Sequence, residues 1–224
     1  MNKKQITTNY YLNFENYKVI ITYKHIRNII YRYDKKDHTF KISSPYLTSQ
    51  KTIFKHLDRF APRLIKRADK RVEPRQENMI YVFGELVPIE IGNKNKFENK
   101  KITLKKKEDL NKVLKLILKE YLEKRVKDFE KVMNVSHHKI TVRDMHTRHG
   151  SNSYYKNHLS FALTLVHYTY PIVDSVIIHE LAHDVYHNHG SKFYDCVLKY
   201  CPDYKALKKA LDNTNYAYGK DQQK

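Results

Sequence analysis

The sequence predicts an α+β fold, with an N-terminal β-rich part packed on a C-terminal part that combines a small sheet with a buried, histidine-bearing helix. Three observations carry that expectation. Short runs of alternating apolar and polar residues recur through residues 17 to 47. A long amphipathic stretch fills 108 to 134, and a clean two-residue alternation at 158 to 165 leads into an almost wholly apolar segment beginning near Pro171. At 224 residues the chain is long enough to bury a core without a staple. Its two parts are expected at 1–100 and 101–224, within one continuous domain.

Residues 17 to 47 ("YKVIITYKHIRNIIYRYD", then "HTFKISSP") read as a meander or hairpin broken at Asp34 to His38. From Ser49, Ile53, Phe54, Leu57, Phe60, Leu64 and Ile65 recur at helical spacing, and Pro62 predicts a kink or a first-turn position, in one helix or a broken pair. "MIYVFGELVPIEIG" predicts two strands joined around Gly84, and the charged "NKNKFENKKITLKKKED" a connector with one more strand. In 108–134, Leu110, Val113, Leu114, Ile117, Tyr121, Leu122, Phe129 and Val132 form one apolar stripe of a helix. "KITVRDM" is a strand, and so is His158 to Leu165, with one face on the core. Pro171 suits the first turn of a helix whose N-terminal dipole Asp174 complements, and "YGKDQQK" is a frayed tail.

Composition bounds the partners. Lys and Arg number 43 against 24 Asp and Glu, and the resulting +19 suits an anionic partner such as nucleic acid or a nucleotide. Abundant Lys, Asn, Ile and Tyr without any Trp is also the usage of an AT-rich genome, which would make that charge compositional. Cys196 and Cys201 are spaced for neither a zinc knuckle nor a redox motif, so free thiols are expected. With no apolar run of signal-peptide or membrane-spanning length, the expectation is a cytoplasmic protein without a membrane partner.

The chemistry concentrates in "VIIHELAHDVYHNHGSKFYD". His179 and His183 lie one turn apart on one helix face, where both imidazoles reach a single ion. Glu180 sits roughly 100° round the helix, placed to take a proton from metal-bound water. On a continuing helix, His187 would lie about 12 Å along the axis from His179, too far to share a tetrahedral shell. Asn188 and Gly190 are residues that end helices in a left-handed conformation, so the chain is expected to turn there and swing His189 toward the ion. The expected ligands are therefore His179, His183 and His189 around Zn2+, with Glu180 as catalytic base. Asp184 and Asp195 are candidate acceptors for the ligand N–H groups. Zinc-assisted hydrolysis of a peptide bond follows, and the strand 158–165 could hold an extended peptide by β-augmentation.

The stretch from Arg148 to Asp195 resembles the YgjP-like zinc metallopeptidases, relatives of the SprT-like and WLM-type proteins. Their RWGS element, strand, proline and HELxHxxxxNHSxxFW correspond to Arg148, Gly150 and Ser151, to 158–165, to Pro171, and to His179, Glu180, His183, Asn188, His189 and Phe193. The upstream β-rich start, the helix and the Gly84 hairpin are similar to that family too. His149 and Tyr194 stand where the family has Trp, and Gly190 where it has a small Ser; no ligand is lost. The resemblance implies a zincin-like catalytic part and places Arg148, Gly150 and Ser151 near the site, Arg148 to bind an anionic substrate group or to fix its loop. Two other readings stay open: a hydrolase of nucleotides or other phosphoanhydrides, motivated by the charge and Arg148, and a DNA-associated SprT-like protease. The remaining histidines, His138 among them, lack ligand spacing and are expected at the surface or in hydrogen bonds. His167 and Tyr168 are expected to pack or cap. Interleaved Tyr and Lys could stack on single-stranded bases only if they shared a groove.

Overall fold

The computed structural model describes residues 5–12, 15–69, 73–135, 138–145 and 147–219. It is α+β, and its contacts divide into two compact units, Met1–Val72 and Glu73–Lys224. The boundary expected at 100/101 lies inside the second unit. The expected frayed tail falls largely outside the described residues, as do His137 and His146.

The first unit is a four-stranded sheet followed by a helix. Strands β1 (Gln5–Leu12), β2 (Glu15–Lys24), β3 (Ile30–Asp34) and β4 (Thr39–Pro45) are ordered β1-β2-β4-β3. β2 buries every second residue, Tyr17, Val19, Ile21 and Tyr23, as a half-buried strand must. Of the expected meander or hairpin, the hairpin is present, β3 pairing antiparallel with β4 across the break at Asp34 to His38, while a meander is not, because β2 runs parallel to β4. Alternation reports which face is buried but not which strand is the neighbour. Helix α1 (Gln50–Asp69) starts where Thr52 N–H donates to Ser49 Oγ at 3.2 Å. It sets Ile53, Leu57 and Ala61 against Phe40 and Ile42, and it is one helix with Pro62 inside it, on the exposed side.

The second unit opens with β5 (Arg75–Gln76), β6 (Met79–Val82), β7 (Glu85–Ile91), β8 (Lys96–Glu98) and β9 (Lys101–Leu104), ordered β5-β6-β7-β9-β8. β6 and β7 join through Phe83 and Gly84, both at positive φ, and a Cβ on Gly84 would collide with Thr169. The charged connector holds β8 and β9, one strand more than expected. Helix α2 (Leu110–Met133) buries Leu110, Val113, Leu114, Leu118, Leu122, Val126 and Glu130, while Val132 is exposed, so the stripe is rotated from the expected one. Asn134 ends it in the left-handed conformation.

A three-stranded sheet, β10 (Lys139–Arg143), β11 (Gly150–Ser153) and β12 (His158–Ala162), has the order β10-β12-β11, with β12 parallel to β10 and antiparallel to β11. Two expectations about 158–165 are corrected. The strand stops at Ala162, where a 3-10 segment (163–167) begins, and Leu159 through Ala162 are all buried because both faces of the central strand are covered. Helix α3 (Tyr170–Ala182) then carries Pro171 in its first turn and is buried almost all round. Asp174 is held across to α2: Arg125 donates to its carboxylate at 2.6 Å and Tyr121 Oη–H at 2.7 Å. Helices α4 (Ser191–Tyr200) and α5 (Tyr204–Asp212) complete the unit. No described helix is long and apolar enough to cross a membrane. Cys196 and Cys201 are free, as expected.

Candidate metal centre

The last turn of α3 carries the chemistry into a cavity of about 430 Å³ walled by β11, α3 and α5. His179 and His183 project from the same helix face and His189 comes back from the following loop. One nitrogen from each ring lies within 4.8 Å of the others. The turn that permits this differs from the one expected. α3 ends at Ala182, with His183 as its C-cap, several residues before Asn188. Gly190 has extended backbone and caps the start of α4, and neither Asn188 nor Gly190 is left-handed. Stopping a full turn earlier gives the loop 183–190 the reach to fold His189 back onto His179.

The donor set suits a divalent ion. Nε2 of His179 and Nε2 of His189 approach to 3.1 Å, near the ~3.3 Å separating neighbouring ligands in a tetrahedral shell with Zn–N bonds of about 2.0–2.1 Å. His183 donates Nδ1–H to the Tyr186 carbonyl at 3.2 Å, which leaves its Nε2 lone pair for a ligand. The Tyr204 hydroxyl lies 2.7 Å from His179 Nδ1 and fixes that ring from the side away from His189. Burial, reinforced by His183 and His189, pushes His179 down to about 3, and burial with His189 lowers His183, so both rings are neutral, the form that binds metal.

Glu180 is buried beside the histidines. Burial raises its carboxyl to about 7, against the opposing effects of Arg148 and of the Asn152 backbone N–H. Gly150 makes this placement possible. A Cβ there would lie 2.5 Å from Glu180 Oε1 and 2.7 Å from its Cγ, so a larger residue at that point would push the Glu180 side chain out of its present position under β11.

Each expected site residue can now be located. Ser151 lines the cavity on β11, paired with Ser160 of β12. Arg148 lines it too, exposed and without an ion pair or hydrogen bond among the described residues. His187 stays outside the cluster: it is exposed, donates Nδ1–H to the His183 carbonyl at 2.9 Å and stacks on Tyr154 at 4.1 Å. The acceptor roles expected of Asp184 and Asp195 go elsewhere. Asp195 is exposed, and Asp184 accepts from Asn152 Nδ2 at 2.7 Å and faces His138. The groups touching Nδ1 of His183 and of His179 are the Tyr186 carbonyl and the Tyr204 hydroxyl instead.

Sequence reasoning missed two supports. Tyr204 sits on the apolar stripe of α5 with Leu207 and Leu211, and nothing in that pattern marks its hydroxyl as different from packing. His138, expected at the surface or in hydrogen bonds, is hydrogen-bonded, with its imidazole fully enclosed between Glu130 Oε1 (2.9 Å) and Asp184 Oδ2 (3.1 Å). Asn152 extends this network by donating Nδ2–H to the Glu180 carbonyl at 2.8 Å as well as to Asp184. The four residues come from α2, the start of β10, β11 and the end of α3, a grouping with no linear signature. His167 is buried and neutral, donating Nδ1–H to the Tyr81 carbonyl at 2.7 Å, a packed role as expected.

A histidine cluster beside a buried glutamate at the end of one helix defines the class, a metal-dependent hydrolase. A family model described as YgjP-like, metallopeptidase domain, matches residues 42–214, most of the chain. The chain belongs to this YgjP-like family and is by that membership a metallopeptidase. Among solved structures, the crystal structure of the metallopeptidase zymogen of Pyrococcus abyssi abylysin is similar, with a TM-score of 0.38 and 18% identity over 40% of this chain and 90% of that one. No curated protein matches the chain.

Proposed function

We propose that this metallopeptidase is zinc-dependent and hydrolyses peptide bonds, with His179, His183 and His189 as the metal ligands and Glu180 as the general base. The observation that carries the reading is the convergence of three imidazoles within 4.8 Å, beside a carboxylate enclosed by β11. When bound, zinc supplies Lewis acidity, lowering the pKa of water to about 7 and polarising a carbonyl. The residues supply the rest. Glu180 accepts a proton from water as its oxygen attacks the carbonyl carbon, then delivers that proton to the amide nitrogen as the C–N bond breaks, leaving a carboxylic acid and an amine, which at neutral pH become a carboxylate and an ammonium by transfer of the acid's proton. Tyr204 and the Tyr186 carbonyl orient His179 and His183. Substrate backbone cannot add to β12, whose two edges are both paired, so β-augmentation moves to the outer edge of β11 beside Glu180.

A second reading has one observation in its favour. Two cationic side chains, Arg148 and Lys208, line the same cavity, so hydrolysis of a nucleotide phosphoanhydride is tested alongside. Purified protein should hold one zinc per chain. His189→Ala should lose it and His187→Ala keep it, read by elemental analysis; zinc retained by His189→Ala would refute the ligand set. Glu180→Gln should keep zinc and lose cleavage of a quenched peptide library. Phosphate or pyrophosphate release from nucleoside triphosphates, without any peptide cleavage, would overturn the peptidase chemistry.

A further inference from the structure

The positive charge is unevenly distributed along the chain. Residues 1–72 hold 17 of the 43 Lys and Arg but five of the 24 Asp and Glu, so +12 of the +19 sits in the smaller unit. A codon bias spread over the whole chain does not concentrate charge in this way. On α1, Lys51, Lys55, Arg59 and Arg63 recur at four-residue intervals and all are exposed. Like charges one turn apart repel one another. Neither of the helix's two acids forms an ion pair with them among the described residues: Asp58 accepts from the Tyr10 hydroxyl at 2.8 Å, and Asp69 pairs with Lys35 at 3.0 Å.

Arg63 of this row lines an open groove of about 700 Å³ between α1 and the β3 edge, and Lys51, Lys55 and Arg59 each precede or neighbour a groove residue, Thr52, His56 or Phe60, on the same helix. Tyr31, His56 and Phe60 form its aromatic floor. Phe60 lies 5.7 Å from Tyr31 and 6.5 Å from His56, and the Tyr31 hydroxyl is anchored to the Ile53 carbonyl at 3.1 Å. Arg27 and Arg63 line the same groove, exposed and without hydrogen bond or ion pair among the described residues. Aromatic rings and unpaired cations therefore share one groove, the condition for stacking bases while neutralising their phosphates.

We propose that this groove binds single-stranded nucleic acid, with bases on Tyr31, His56 and Phe60 and phosphates on Arg27, Arg63 and the basic row of α1. An acidic protein would use the cations but leave the aromatic floor without a role, so nucleic acid is the better fit. The groove residues all belong to Met1–Val72, and none of them is a residue of the metal centre.

Fluorescence anisotropy of the full chain with a labelled mixed-sequence 15-mer tests it. With about four phosphates neutralised, log K should fall against log salt with a slope of about −3. Arg27→Glu with Arg63→Glu should weaken binding about tenfold or more, whereas the equal charge change Lys124→Glu with Lys131→Glu, on α2, should cost less than about threefold. His56→Ala should weaken binding several-fold without altering the salt slope. Equal losses in the two double variants would reduce the effect to net charge and overturn the proposal. So would a duplex bound as tightly as the single strand, polyglutamate displacing the oligonucleotide at equal charge, or no binding at 50 mM salt.

Discussion

Gly150 and Glu180 show how closely single residues set this site. Glu180 is raised to about 7 because β11 covers it, and β11 can cover it because residue 150 has no side chain. Gly150→Ala should therefore lower kcat/KM about 10²-fold, the scale of a displacement near 1 Å at a reacting group, while zinc content stays at one per chain. Loss of zinc together with activity would show that the glycine holds the whole centre rather than the base. Tyr204→Phe removes the hydroxyl against His179 Nδ1 and should weaken zinc binding about 10- to 100-fold in a chelator competition. Unchanged affinity would leave Tyr204 with packing alone. Residues of this kind divide clearly in legibility. His179, Glu180 and His183 are visible in sequence because helical spacing places them without further information. Tyr204 is hidden because a hydroxyl at the edge of an apolar stripe looks like packing until its partner is known.

Between elements, the network of Glu130, His138, Asn152 and Asp184 ties α2 and the three-stranded sheet to the end of α3, directly behind the metal centre. Burial by itself would lower the His138 pKa, but the Asp184 and Glu130 carboxylates outweigh it and raise it above the ordinary histidine value. A raised folded-state pKa makes the stabilisation fully present below the unfolded value near 6.5, and the stabilisation is lost as pH rises through the folded value. His138→Gln should accordingly destabilise the protein most at about pH 6 and progressively less at higher pH, measured by denaturant unfolding. A difference that grew with pH would show that the ring is held neutral. Element prediction followed the same division. α2, α3 and the Gly84 hairpin were legible from period and turn residues. The parallel pairing of β2 with β4, and the early stops of β12 and α3, were not, since each depends on what the neighbouring element offers.

Over the whole molecule, the proposed ligands and base, with Tyr204 and His138 behind them, belong to Glu73–Lys224. Residues 73–224 expressed alone should bind one zinc, by elemental analysis, with His189→Ala in the same fragment losing it. Failure of a folded fragment to hold zinc would show that the first unit completes the centre. The charge divides the other way, with the smaller unit carrying most of it. A formal total of +19 is visible in composition, but its placement beside an aromatic groove is not.

The sequence by itself determined the α+β class, the apolar helix beginning near Pro171, and the spacing that puts His179, Glu180 and His183 on one turn. Those features rest on local periodicity, which a linear text carries in full. Only the tertiary structure decided that α3 stops at Ala182 so that His189 folds back, that Gly150 leaves room for Glu180, and that Tyr204 and His138 stand behind the site. These contacts join residues between ten and forty-six positions apart, and pairing over such distances is selected by the packing of the whole chain rather than by any local pattern.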